Sequence, residues 1–338
     1  MAEQEIQGEQ PSNGKKEKKP LTSMQKRTIT AVAYLLIWVA MCALKWCVPQ
    51  GNVHGGWGAI GFDLVFTAVS VIGAHEFLRA IDRSESGVNC KISFPQHCIT
   101  VAFCAMIVPL YVIVEMAMGG GLLAISCGFT VYVMFLAATS VFDHKRSSVK
   151  GTIYCVFCML YCGVLSSLLS AINHLAQNSM VAILVIFMCP VLTDTGAFLI
   201  GSAFKKWVPM KLAPQLSPNK TVIGAVGGII GGILGAILAY YTMYIFGGVN
   251  GNIAFFGMND VYLSVRSTTF PAIVSFILVG LFTSVMAQIG DLFESAIKRE
   301  CGVKDMGNLL PGHGGVLDRF DSMLYSSVVV LISFGTII

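Results

Sequence analysis

Two pairs of acidic residues, each pair three apart, frame one stretch of this sequence. Asp291 and Glu294 stand in QIGDLFESAIKRE, and Asp318 and Asp321 stand in LPGHGGVLDRFDSM. Carboxylates are hard oxygen ligands, and Mg²⁺ typically keeps one or two of them together with substrate phosphates. Between the pairs lie Lys298, Arg299, Lys304 and His313, with Arg319 inside the second pair. Such groups hold phosphate oxygens, while Gly312, Gly314 and Gly315 let backbone N–H groups approach an anion. The stretch therefore suits metal-assisted chemistry on phosphates. A solvated loop would account for the lysines and arginines, but not for paired aspartates or a histidine flanked by glycines.

The elements that position these residues are apolar. With 55% hydrophobic and 12% charged residues in 338, and a mean hydropathy of +0.74, the chain falls in the membrane class. Residues 1–27 are the exception, too polar to bury a core, and are expected to form a disordered cytoplasmic tail. Residues 28–338 read as one transmembrane catalytic domain, with the site region at 190–323.

Stretches long enough to cross roughly 30 Å of hydrocarbon number about nine, at 28–48, 58–80, 98–118, 122–142, 152–172, 180–201, 221–246, 270–289 and 322–338. The expected fold is an all-α polytopic membrane protein. Placing the tail inside puts every Lys and Arg except Lys45 and Arg266 on the cytoplasmic side, as the positive-inside rule requires. The N-terminus is then cytoplasmic and the C-terminus outside.

Charges inside spans need a partner or a wet cavity, since an ionised group there costs at least about 2.5 kcal/mol. Asp63, His75, Glu76, Glu115 and Asp194 are such positions. Internal hydrogen bonds or interfacial placement suffice for Asp63 and Glu115, and Glu76 is spaced to pair with Arg79. Asp194 differs, because Pro190 removes a helix hydrogen bond and Thr193, Thr195 and Gly196 loosen the surrounding helix. A broken, cavity-lining helix is expected there.

In the seventh span Gly224, Gly228 and Gly232 repeat every fourth residue, as do Gly227, Gly231 and Gly235. No strand precedes them as a dinucleotide fingerprint needs, so they read as helix-packing faces, either within the chain or in a homodimer. Cys155, Cys158 and Cys162 repeat at helical spacing without neighbouring metal-binding partners and read as packing residues. The net charge of +4 follows from topology, and no nucleic-acid partner is indicated.

The run SAIKRECGVKDMGNLLPGHGGVLDRFD closely resembles the signature of the phosphatidate cytidylyltransferases, or CDP-diacylglycerol synthases. The matching positions are Ser295, Lys298, Arg299, Lys304, Asp305, Gly307, Pro311, His313, Gly314, Gly315, Asp318, Arg319 and Asp321. Upstream, GDLFES with Asp291, LTDTGAF with Asp194, and KLAPQLSPNKT with Ser217, Pro218, Lys220 and Thr221 are also similar to that family. The resemblance covers residues 194–323 well. It departs at Ile223, where a glutamate is usual.

The resemblance implies condensation of CTP with phosphatidic acid to CDP-diacylglycerol and pyrophosphate, at the inner face of a bacterial cytoplasmic membrane. The catalytic residues expected are Asp291, Asp318, Lys298, Arg319 and His313. Asp291, Asp318, Asp194 and Asp321 are expected to hold Mg²⁺, with a second cation such as K⁺ left open. Ser217, Lys220, Thr221, Ser295, Arg299 and Lys304 are expected at the substrates. Two other classes are weaker: a secondary transporter commonly shows an internal repeat, absent here, and the CDP-alcohol phosphatidyltransferase motif is also absent.

Overall fold

A computed structural model describes residues 23–47, 57–84, 92–175, 179–246, 269–310 and 314–335. The described chain is a helical bundle with one small hairpin. In order it runs α1 (Ser23–Cys47), α2 (Ile60–Asp82), α3 (Phe94–Met118), α4 (Gly121–Phe142) and α5 (Val149–Cys158). A π-helical turn, Met159–Val164, joins α5 to α6 (Leu165–Asn173). Next come α7 (Ser179–Phe204), β1 (Lys211–Ala213), β2 (Ser217–Thr221), α8 (Val222–Phe246), α9 (Thr269–Glu300) and α10 (Leu317–Gly335).

Local chemistry sets several helix ends. At the start of α3 Gln96 Oε1 accepts from Ser93 N at 3.1 Å, one half of a capping box, with proline in the first turn. Gly119, at φ 69°, ends that helix and donates its N–H to Glu115 O at 2.9 Å. Ser148 accepts from Gly151 N at 3.0 Å and caps α5.

Seven described helical segments are long and apolar enough to cross a bilayer, against about nine expected. They are α2, α3, α4, the continuous Val149–Asn173 helix, α7, Val222–Met243 of α8 and Ile273–Glu300 of α9. The first expected span is helical within α1, and its stretch Val32–Lys45 is apolar. The last, α10, has 19 residues and opens on Asp318, Arg319 and Asp321. The expected tail boundary also moves, because α1 begins at Ser23; residues 1–22 lie outside the described residues.

The all-α expectation holds for the body of the protein. The exception is the hairpin β1–β2, where Lys211 pairs with Thr221 and Ala213 with Ser217. Helix α7 corrects another expectation, since it runs unbroken through Pro190. Proline removes one backbone donor, and here the neighbouring turns carry on, with Thr195 Oγ1 donating to Val191 O at 2.8 Å.

The glycine faces of α8 are spent inside the protomer. A Cβ at Gly227 would meet Ile200 and Gly196 O of α7, and one at Gly232 would meet Ser284 of α9 and Thr193 of α7. Neither glycine row is open to a second copy, so the homodimer suggested by those rows has no free glycine face to use. Gly231 is the tightest point, with its Cβ position 2.1 Å from the backbone oxygen of Leu192. Backbone cannot swing aside as a side chain can, so Gly231→Ala is expected to destabilise the protein by about 3 kcal/mol. Thermal unfolding in detergent micelles checks this, and an unchanged Tm would refute it.

The buried charges sort by end of the bundle. At one end, where α1 finishes and α2 begins, Asp63 accepts from Ser170 Oγ at 2.6 Å and Asn173 Nδ2 at 3.0 Å, and lies 2.8 Å from His174 Nε2. Lys45 Nζ donates to Asn173 O and Oδ1 at 2.6 and 2.7 Å. Glu115 accepts from Gly121 N at 2.8 Å. Asp63 and Glu115 therefore take the internal hydrogen bonds expected as their structural alternative. His75 Nδ1 faces His97 Nε2 at 3.3 Å. Among the described residues, Glu76, Asp194, Asp291, Glu294, Asp318 and Asp321 lie toward the other end.

Candidate functional site

That other end joins the finish of α7 and α9 to the start of α8 and α10, with the hairpin alongside. A cavity of about 560 Å³ opens between α7, the hairpin, α8 and α9. Its wall includes Asp194, Ser217, Asn219, Lys220, Thr221, Gln288 and Asp291, with Phe198, Leu212 and Leu292 as apolar surface.

The hairpin explains how Lys220 reaches the cavity. Strand β2 runs directly into α8, and Thr221 Oγ1 caps that helix by accepting from Gly224 N at 3.1 Å. The residue before the cap projects to α9, where the Lys220 ammonium donates to Asp291 Oδ2. Thr221, expected at a substrate, thus has a capping duty and also lines the wall. Ser217 lines the same wall.

A second centre lies on α9 and α10. Lys298 Nζ bridges Glu294 Oε2 at 2.8 Å and Asp318 Oδ1 at 2.9 Å. Asp318 Oδ2 also accepts from Gly315 N at 2.8 Å and Met306 N at 3.0 Å. One carboxylate therefore ties the loop after α9 to the first turn of α10. Burial pushes the Asp318 carboxyl up, but Lys298 and the two amides outweigh it and hold it below the ordinary carboxylate value. Gly314, at φ 89°, takes the left-handed turn that this loop needs.

The two centres are electrostatically joined. Asp194 is within charge range of Asp291, Asp321, Lys220 and Arg319. Asp321 is buried against Glu294 and accepts from its neighbour Ser322 N at 2.6 Å. Arg299 Nε donates to Leu216 O at 3.3 Å, fastening the hairpin turn to α9. Ser295 is half-buried on α9, and Lys304 is exposed on the following loop. Pro311, Gly312 and His313 lie outside the described residues.

Among the described residues no three His, Cys, Asp or Glu side chains converge closely enough to hold a metal ion by themselves. The carboxylates present suit an ion that takes only part of its shell from protein. Mg²⁺ commonly takes one or two carboxylates and completes its shell with phosphates and water, and Asp194 and Asp291 share the cavity wall.

Two residues were assigned poorly from sequence. Glu294 reads there as one half of a surface pair with Asp291, but it is buried and shares Lys298 with Asp318. Its i,i+4 spacing to Lys298 was the available signal. Glu76, spaced so that it could pair with Arg79, instead accepts from Val316 N at 3.1 Å and Leu317 N at 3.0 Å. No spacing rule connects positions that far apart in the chain.

Fold and site together define a polytopic helical membrane protein with a cavity lined by carboxylates and lysines. The chain belongs to the cytidylyltransferase family, whose sequence model matches residues 25–337. It is 35% identical over 196 residues to the phosphatidate cytidylyltransferase of Bacillus subtilis, covering 57% of this chain and 60% of that one. It is 35% identical over 190 residues to the enzyme of the same name from Staphylococcus saprophyticus, covering 56% and 62%. For Staphylococcus epidermidis the figures are 33% over 198 residues, covering 59% and 65%. The matched stretches thus span somewhat under two thirds of these relatives' own lengths.

Proposed function

We propose that this protein transfers the cytidylyl group of CTP to phosphatidic acid, giving CDP-diacylglycerol and pyrophosphate. The observation that carries this reading is the placement of the Lys220–Asp291 cavity and the Lys298–Asp318 pair along the last turns of α9, at one end of a membrane bundle. A soluble nucleotide and a lipid head group can meet only at such a surface. The lysine-rich loops lie at this end, so the site faces the cytoplasm under the positive-inside rule. The relatives named above are bacterial, which favours a bacterial cytoplasmic membrane.

The phosphatidate phosphate, at about −1.5 to −2 near neutral pH, is already ionised and needs no general base. One of its oxygens forms a bond to the α-phosphorus of CTP as the α–β bridging bond breaks in line, and the electron pair leaves with pyrophosphate. The obstacle is repulsion between two phosphate groups, which fixed cations must offset. When bound, Mg²⁺ supplies Lewis-acid stabilisation of the phosphate oxygens.

Asp291 and Asp318 are the proposed ligands, with Asp194 and Asp321 beside them. Each of the first two is held by a lysine in the described state, Lys220 on Asp291 and Lys298 on Asp318. This pairing keeps the carboxylates compensated until substrate binds, when the ammonium groups turn to phosphate oxygens. Arg319, Arg299 and Lys304 add positive charge at the rim, and Ser217, Ser295 and His313 complete the substrate contacts.

Purified protein given labelled CTP and phosphatidate in mixed micelles tests this, with Mg²⁺ and K⁺ varied separately. Pyrophosphate release that requires both substrates and stops on chelation is the expected result. Release without phosphatidate, or solute flux without turnover, would overturn the reading.

A further inference from the structure

Asp318 works only if the start of α10 stays in place, and a residue from the first half of the chain holds it there. Glu76 of α2 is buried. Its two carboxylate oxygens accept from the N–H groups of Val316 and Leu317, one each. These amides are the last before α10 and the first within it, where backbone donors have no partner within the helix and a carboxylate is favoured by the helix dipole. Asp318 is the next residue along, and Gly315, which donates to Asp318 Oδ2, is the residue before.

Glu76 also accounts for two glycines of the loop. A Cβ at Gly307 would lie 2.0 Å from Glu76 Oε1, and its three nearest neighbours all belong to Glu76. A Cβ at Gly315 would lie 2.5 Å from Glu76 Oε2, but also 2.7 Å from the backbone nitrogen of Gly307. Met306, adjacent to Gly307, gives Asp318 its remaining backbone hydrogen bonds. The carboxylate is thus a plug around which both strands of the loop close.

We infer that Glu76 is a positioning residue for the reaction proposed above: by holding the first turn of α10 and the Gly307–Gly315 contact, it sets Asp318 and its amide partners without touching substrate. The inference rests on that functional reading, and its test separates the two.

Glu76→Gln keeps the shape but turns an N–H₂ toward one amide. It is expected to lower kcat about tenfold while KM for CTP stays within about twofold. Glu76→Ala should lower kcat about 10²-fold. Gly307→Ala displaces Glu76 and should match that loss, yet cost little more when added to Glu76→Ala, because the residues act as one unit. Gly315→Ala should remain harmful in both backgrounds, since the clash with Gly307 N persists.

The inference is overturned if both Glu76 variants keep kcat within about twofold of wild type, or if Gly307→Ala is equally damaging with and without the Glu76 carboxylate. Thermal unfolding of the same set reports the coupling independently of activity. Non-additive Tm shifts in a protein without cytidylyl transfer would support the clamp and reject the functional reading. Additive shifts in an active enzyme would do the reverse. Should Glu76→Ala fail to fold, the cycle is run with Glu76→Ser, whose side chain is likewise too short to reach a Cβ at Gly307.

Discussion

In the proposed reaction, Asp318→Asn is expected to lower CTP-dependent formation of CDP-diacylglycerol about 10²-fold or more, with Mg²⁺ present. The side chain keeps its size, so the change is chiefly one of charge. The carboxylate now meets the Lys298 ammonium at 2.9 Å and two backbone N–H groups. An amide accepts through one atom only, and its N–H₂ would face a donor. In the proposed reaction the same oxygens would lose their attraction for a divalent ion next to the triphosphate. Rates in membranes at saturating CTP and phosphatidate provide the measurement. An Asp318→Asn enzyme as fast as wild type would remove the charge of this residue from the mechanism.

Lys298→Met has its largest effect on stability, about 3–5 kcal/mol of loss. The lysine side chain is 14% exposed, and its partners Glu294 and Asp318 are 1% and 3% exposed. Removing the ammonium takes away the cation that both buried carboxylates contact, beside a third carboxylate at Asp321. Uncompensated buried charge is far costlier than a lost surface pair. Lys298→Met/Glu294→Gln should recover part of the loss, because one of the two stranded carboxylates is gone. Unfolding temperature in detergent, read beside the fraction of monodisperse protein, decides the matter. A single variant as stable as wild type would contradict the bridging role.

The identity of the site residues was more legible than their partnerships. Asp291, Asp318, Lys298 and Lys220 stand out by type, spacing and position at helix ends, and all four lie at the same end of the bundle, paired as Lys220–Asp291 and Lys298–Asp318. Which lysine meets which aspartate was not readable: Lys220 and Asp291 are 71 positions apart, and their meeting depends on a hairpin inside an otherwise helical chain. Asp194 reads as a polar break in its helix, but α7 is continuous and presents that residue along the cavity wall. Proline cost the helix one donor, and packing against α8 holds the remaining turns in register.

By itself the amino-acid order determined that this is a helical membrane protein, roughly where its helices run, and that its acidic and basic residues concentrate at span ends. Those properties follow from local quantities: hydropathy summed over a bilayer's width, charge near span ends and caps at helix starts. Only the tertiary structure decided that α8 gives both glycine rows to α7 and α9, that α10 begins against Glu76, and that Lys298 sits between two carboxylates. Each of these is a contact between distant segments, chosen by close fit and by the need to compensate charge away from water, and neither condition is written in the spacing of neighbouring residues.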